Sequence, residues 1–136
     1  METAFRFFST HFNASVPKDY FINPCCFGDD LAEWLIAKLN ASAIATSAEP
    51  GQEDFGWYLT FVLERTEYCV VVGFQPNDPE SGDCWIGWVE RHVGFLASIL
   101  GGRKRGISPN ALALLDKVLR SSPEIRDLVW RRPEDL

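Results

Sequence analysis

The sequence predicts a two-layer α+β domain, in which a mostly antiparallel sheet of five or six strands carries two helices on one face. Three strand-like segments follow one another between Glu53 and His92 and form a central β-meander. A segment with helical periodicity lies on either side of this meander, and the connections between neighbouring strands are short, which favours antiparallel pairing. A chain of 136 residues has the length of a single domain and is long enough to bury a hydrophobic core.

The meander is predicted to contain strands at residues 57–64, 68–74 and 84–90. In the first strand, strongly apolar residues at the odd positions alternate with more polar residues, which is the period of a half-buried strand. The second strand is apolar on both faces, as a central strand should be. Gly73 and Gly87 are predicted to mark bulges or close backbone approaches, and the acidic segment 75–83 is predicted to be a loop.

The two helices are predicted over residues 27–40 and 108–120. In the first, apolar residues recur at steps of three and four, and Asp29 and Asp30 fall in the first turn, where the helix dipole favours carboxylates. In the second, Ser108 is suited to the N-cap and Pro109 to the first helical position.

The remaining segments complete the predicted order β-α-β, meander, α-β. We expect strands at residues 4–9, 42–46 and 125–131, the last at an edge of the sheet. Residues 11–26 are irregular, with Phe21 and Ile22 entering the core, and residues 92–100 are either a short helix or a docked loop. Residues 1–3 and 132–136 are expected to be frayed.

Composition and charge limit the classes of function. The formal net charge of −6 disfavours a protein that neutralises phosphates and suits a partner with a basic surface, so we expect no nucleic acid as ligand. The N-terminal residues lack the pattern of a signal peptide, and no apolar run is long enough to span a membrane, so we expect a cytoplasmic protein without a membrane partner. The four cysteines are then expected to be free thiols.

The segment Glu53-Asp54-Phe55-Gly56-Trp57 is the first candidate for a functional site. Two carboxylates before a glycine and a tryptophan can orient a basic partner, bind a cation or act as an acid–base pair. The structural alternative, which is the commoner one, is a solvated turn in which Gly56 supplies a special backbone angle and Trp57 belongs to the core.

Other candidate sites are weaker. The cysteine and histidine spacings do not match a zinc site, and no glycine-framed nucleophile accompanies Cys25, Cys26, His11 or His92. The basic loop 101–106 lacks the glycine pattern of a nucleotide-binding site. We therefore assign no catalytic residue, no metal and no cofactor.

Several motifs of the chain resemble those of a group of small, uncharacterised bacterial α+β proteins. They are the helix D-L-A-x-W-L, the segment P-G-x-E-D-F-G-W-Y-L, and the strands V-V-V-G-F and W-I-G-W-V-E. In this group a Glu-Asp-aromatic-Gly-Trp segment follows the first helix, and the resemblance covers roughly residues 27–130. In size, acidity and layout the chain is also similar to immunity proteins that neutralise bacterial toxins.

Three functional interpretations follow. The first is a non-enzymatic protein-binding domain of a bacterium, with a toxin-neutralising immunity protein as its most concrete form. Its binding residues would be five acids that attract a basic partner and one aromatic anchor: Glu53, Asp54, Asp78, Glu80, Asp83 and Trp57. The second is a small ligand-binding domain or enzyme that uses Glu53, Asp54 and His92 in a cleft. The third is a homo-oligomer that associates through Trp85 or Trp88 on an exposed sheet face.

Overall fold

The computed structural model describes residues 1–54, 56–92 and 106–136 and confirms the predicted α+β fold. Its strands are β1 (Ala4–Phe8), β2 (Gly51–Glu53), β3 (Gly56–Leu63), β4 (Thr66–Asp78), β5 (Gly82–Arg91) and β6 (Arg126–Arg131). Its two described helices of more than one turn are α1 (Asp29–Ala41) and α2 (Pro109–Arg120). The strands form one open antiparallel sheet in the order β2-β3-β4-β5-β1-β6.

The β3–β4 hairpin follows directly from its sequence. Trp57, Leu59 and Phe61 are buried on one face of β3, and the intervening residues are more exposed on the other face, as the alternation predicts. Glu64 and Arg65 form the two-residue turn with φ of 51° and 66°, the left-handed conformation that tight hairpin turns require.

The β4–β5 hairpin is longer than predicted. Residues 75–83, which we expected to form a loop, contain the last residues of β4 and the first of β5. The register shifts between Gln75 and Asp78, and Asn77 has a φ of 57°. This irregularity accommodates Pro76, which cannot donate a hydrogen bond to a neighbouring strand. Pro76 therefore marks a bulge in this hairpin rather than the end of its pairing.

The hydrophobic core lies between one face of the sheet and the two helices. Leu31, Leu35 and Leu39 of α1 and Leu115 and Leu119 of α2 are fully buried in the same cluster as the apolar residues of the sheet. At the start of α2, the Ser108 hydroxyl accepts a hydrogen bond from the Asn110 backbone nitrogen at 3.1 Å, which confirms the predicted N-cap.

The opposite face of the sheet points away from both described helices, and we call it the distal face. The register aligns Tyr58, Val71 and Trp88 in one row across its centre, while Arg6 pairs with Ile86 beside that row.

Gly87 lies between Ile86 and Trp88 in β5. Its predicted close approach is confirmed, because an added Cβ would lie 2.3 Å from the Phe5 ring.

Several local predictions differ from the structure. Residues 42–46 form only the isolated bridge Thr46–Phe61, while β2, which we did not predict, begins at Gly51 and pairs with β3. In the tail that we expected to be frayed, Pro133–Asp135 is a 3₁₀ turn. The predictions for residues 92–100 and for the basic loop 101–106 fall almost wholly outside the described residues.

Candidate functional site

The five acids predicted to bind a partner lie in two turns at one end of the sheet. Glu53 and Asp54 occupy the β2–β3 turn, and Asp78, Glu80 and Asp83 belong to the β4–β5 hairpin. Because β2 to β5 are successive antiparallel neighbours, these two turns lie at the same end, which we call the turn end. The fold therefore brings both acidic segments to one end of the molecule.

In the β4–β5 hairpin, two of the three acids stabilise the hairpin itself. Asp78 accepts hydrogen bonds from the backbone nitrogens of Glu80 at 3.2 Å and Ser81 at 2.9 Å. Hydrogen bonding from the Ser81 side chain, more than any other contact, lowers the pKa of Asp78. Asp83 accepts from the Asn77 backbone nitrogen at 2.9 Å. Glu80 and Asp83 are exposed, whereas Asp78 is half-buried.

In the β2–β3 turn, the backbone is fixed while both carboxylates remain exposed. The Cys26 thiol donates to the Glu53 carbonyl oxygen at 3.1 Å, and the Asn23 side-chain amide donates to the Asp54 carbonyl oxygen at 2.5 Å. Burial raises the pKa of Cys26, so this thiol keeps the proton that it donates. Phe55 lies outside the described residues.

Trp57, the predicted aromatic anchor, is only 6% exposed. Its indole nitrogen donates to the Cys26 carbonyl oxygen at 2.9 Å, and its ring meets Tyr20 and Phe21 edge to face. Because the indole lies beneath these residues, its position suits a support for the surface above it rather than direct contact with a partner.

Exposed apolar side chains beside β2 come from residues 13–26, which belong to the connection between β1 and α1. Tyr20 is 57% exposed and Ile22 58%, and we call these two residues the apolar patch. The Gln52 side chain accepts a hydrogen bond from the Ile22 backbone nitrogen at 2.6 Å and donates one to the Tyr20 carbonyl oxygen at 2.9 Å. The apolar patch is therefore attached to β2, next to the exposed carboxylates of the turn.

A hydrogen bond to the start of α1 also orients Tyr20. Its hydroxyl donates to the carboxylate of Asp29, which is 6% exposed. This hydrogen bond raises the pKa of Tyr20 to about 12, because the neutral phenol is the hydrogen-bond donor. Nearby, the Asn13 backbone nitrogen donates to Asp30 at 2.8 Å. Residues 13–26 are thus held against both α1 and β2.

We expected both Phe21 and Ile22 to enter the core, and this prediction is wrong for Ile22. Phe21 packs against core residues, whereas Ile22 points outward. The only sequence signal for the apolar patch is the presence of apolar residues in a segment punctuated by proline and asparagine. Such residues are equally consistent with a buried loop, so the sequence alone could not identify this surface.

The alternative site that combines Glu53, Asp54 and His92 is partly assembled. Glu53 and His92 both line a cavity of about 220 Å³ on the distal face, but Asp54 does not line it. The other described lining residues are Tyr58, Cys69, Val71, Glu90 and Arg91. The His92 imidazole nitrogen lies 3.4 Å from a carboxylate oxygen of Glu67. The cavity therefore combines two carboxylates, an imidazole and a phenol.

The remaining candidate residues are two tryptophans of β5 and the four cysteines. Trp85 is buried beneath the helices, and Trp88 is half-buried on the distal face, where its indole nitrogen lies 3.2 Å from a Glu90 carboxylate oxygen. Cys25 is exposed, Cys69 is half-buried, and Cys26 and Cys84 are buried. In the part of the chain that the structure describes, no three His, Cys, Asp or Glu residues are grouped closely enough to hold a metal ion.

Comparisons with models of protein families, with curated proteins and with solved structures found no match to this chain. None of the helices within residues 1–54, 56–92 and 106–136 is long and apolar enough to cross a membrane.

Proposed function

We propose that this chain is a non-enzymatic protein-binding domain whose partner presents a basic surface. The observation that carries the proposal is the apolar patch, held by hydrogen bonds beside the exposed carboxylates of Glu53 and Asp54. Exposed aromatic and aliphatic side chains with charged residues around them are typical of protein interfaces.

The two parts of this surface have different roles in the proposed mechanism. The acids of the turn end attract a basic partner over a distance and increase the association rate. Tyr20 and Ile22, each more than half exposed, then become buried and supply most of the affinity. Because Gln52 already fixes the backbone at both residues, little conformational entropy is lost on binding.

The most concrete form of this function is a bacterial immunity protein, as the acidity and layout of the sequence suggest. The partner would be a toxin with a basic active-site surface, which the turn end would occlude. Coexpression with such a toxin should protect cells, and the double substitution Tyr20→Ala/Ile22→Ala should abolish the protection while the protein remains folded.

A pull-down with the tagged protein tests the proposal and identifies the partner in the same experiment. We expect one stoichiometric partner that is lost with Tyr20→Ala/Ile22→Ala and kept with the control Val129→Ala, which shortens an exposed apolar residue of β6. The affinity should fall by about tenfold or more, the effect expected for loss of a central anchor. Retention of the partner by the double variant at unchanged affinity would contradict the assignment of this surface.

The electrostatic part has its own test once the partner is in hand. Glu53→Gln/Asp54→Asn should slow association and weaken its dependence on salt, with little change in dissociation. The control Glu2→Gln/Glu49→Gln removes two exposed acids that lie outside the two turns. Equal association rates for the two double variants would refute steering by the turn end.

The ligand-binding or enzymatic alternative is favoured by one observation, the shared cavity of Glu53 and His92. Thermal-shift screening against metabolites and metal ions tests it, with Glu53→Gln and His92→Gln as variants. A ligand whose stabilising effect disappears in both variants would favour this alternative over the protein-binding function.

A further inference from the structure

A second cavity of the distal face, of about 270 Å³, shares Asp78 and Glu80 with the turn end but is lined by no residue of the apolar patch or of the β2–β3 turn. Arg6 of β1 and Arg131 of β6 both line it, together with Ile86 of β5. One wall comes from the β4–β5 hairpin and another from the C-terminal segment, which contributes Leu136.

Arg6 has unused hydrogen-bonding capacity. Its Nε is buried and has no hydrogen-bond partner in the described part of the chain. The nearest carboxylate, that of Asp78, lies 4.0 Å from a terminal guanidinium nitrogen. The Asp78 oxygens already accept hydrogen bonds from backbone nitrogens of the hairpin and, at 3.1 Å, from the Gln75 side chain. The long contact with Asp78 leaves the guanidinium only partly satisfied, and the Arg6 side chain, which is 16% exposed, lines the cavity with its remaining donors.

Arg131 adds a second guanidinium to the same cavity. The β1–β6 register places Arg131 opposite Ala4, so that Arg6 is its diagonal neighbour on the same face of the sheet. Arg131 forms no ion pair with any described residue, whereas the nearby Asp135 is bound to Arg132 at 3.0 Å. Two cations on adjacent strands repel each other unless an anion lies between them.

We propose that this cavity binds a small apolar monocarboxylate between Arg6 and Arg131. A planar guanidinium matches a carboxylate through two parallel hydrogen bonds, and Ile86 and Leu136 supply apolar surface for a short hydrocarbon chain. The carboxylates of Asp78, Glu80 and Asp135 also line the cavity and disfavour an anion of higher charge, such as phosphate.

Titration of the full chain with hexanoate, followed by calorimetry and by ¹⁵N NMR, tests this inference. We expect saturable binding, with the largest shifts at Arg6, Ile86 and Arg131. Arg131→Gln should weaken it by at least about tenfold, since a charge-assisted bidentate contact is lost. Arg126→Gln removes an exposed arginine of the same strand outside this cavity and should leave the affinity unchanged.

Ligand controls on the unmodified chain keep the test independent of whether the variants fold. Hexylammonium has a similar chain and the opposite charge and should not bind, and inorganic phosphate should bind more weakly than hexanoate. Absence of saturable hexanoate binding, equal affinity for hexylammonium, or equal losses in the two arginine variants would each overturn the proposal. None of these outcomes depends on a protein partner.

Discussion

Gly56 connects the candidate surface to the centre of the sheet, and its substitution by alanine gives the sharpest test of the fold. An added Cβ would lie 2.1 Å from the Val72 carbonyl oxygen and 3.1 Å from the Gly73 Cα. Ordinary contacts between carbon and carbonyl oxygen are about 3.3 Å or longer, so the strands would have to separate by about 1 Å. Both obstacles belong to the backbone of β4, which is paired on both sides and cannot move freely.

Overpacking of this kind costs typically about 1–3 kcal/mol, and we expect Gly56→Ala to lower the free energy of unfolding by about 2–3 kcal/mol, because the obstacle is backbone. Urea denaturation followed by circular dichroism measures this change, provided that the m value stays constant. The close contact between Gly56 and β4 also positions the β2–β3 turn. We therefore expect Gly56→Ala to weaken partner binding through the exposed carboxylates of that turn as well.

Gly82→Ala is the matched control for Gly56→Ala. Gly82 has a φ of +74° and no atom within 4 Å of an added Cβ, so its substitution costs only the left-handed backbone strain, about 1–2 kcal/mol. Both substitutions stiffen the unfolded chain equally, so the difference between them compares the steric contact at Gly56 with the backbone strain at Gly82. A loss for Gly56→Ala that is no larger than the loss for Gly82→Ala would refute the reasoning.

Three further predictions concern individual side chains. The hydrogen bond from Tyr20 to Asp29 raises the pKa of Tyr20 from 10.0 to about 12. An absorbance titration should therefore show one tyrosine that ionises near pH 12, and Tyr20→Phe should remove this step. The same hydrogen bond stabilises the fold below pH 10, and this stabilisation is lost as the pH rises toward 12. Between pH 10 and 12 the free energy of unfolding should therefore fall less steeply in Tyr20→Phe than in the unmodified chain. The Ser81 hydrogen bond lowers the pKa of Asp78 from 3.8, so the stabilisation is present at neutral pH and is lost only as the pH falls below 3.8. Urea midpoints measured down to about pH 2 should therefore fall more steeply in the unmodified chain than in Asp78→Asn, and parallel curves would contradict this. Ellman's reagent should detect one rapidly reacting thiol in the native protein, and its persistence in Cys25→Ser would show that another cysteine is accessible.

The sequence could predict those parts of the fold that depend on local periodicity. The alternation through Trp57, Leu59 and Phe61 identifies a half-buried strand because each side chain's face is set by its own position in the chain. Ser108 and Pro109 likewise identify the start of α2 without reference to any other element. The acidic character of the β2–β3 and β4–β5 turns was also visible, and antiparallel pairing alone places these turns at one end.

The parts that could not be predicted depend on contacts between distant segments. The exposure of Ile22 follows from its attachment to Gln52, thirty residues further along the chain, which no local pattern encodes. The convergence of Arg6 and Arg131 requires β1 and β6 to be neighbours, and the strand order is not contained in the periodicity of either strand. The short strand β2 was missed because three residues are too few to establish an alternation.

The position of β1 in the sheet has a consequence for how the chain assembles. Strand β1 is synthesised before all the other strands of this sheet, yet its two neighbours, β5 and β6, are the last two strands in the chain. The meander β2 to β5 can pair from local contacts alone, and β5 then presents an unsatisfied edge until β1 arrives. The twenty residues between β1 and α1 form a tether long enough for that strand to search for its place. Because the same tether can reach the β5 edge of a second copy, we expect strand exchange between chains when closure of this sheet is incomplete.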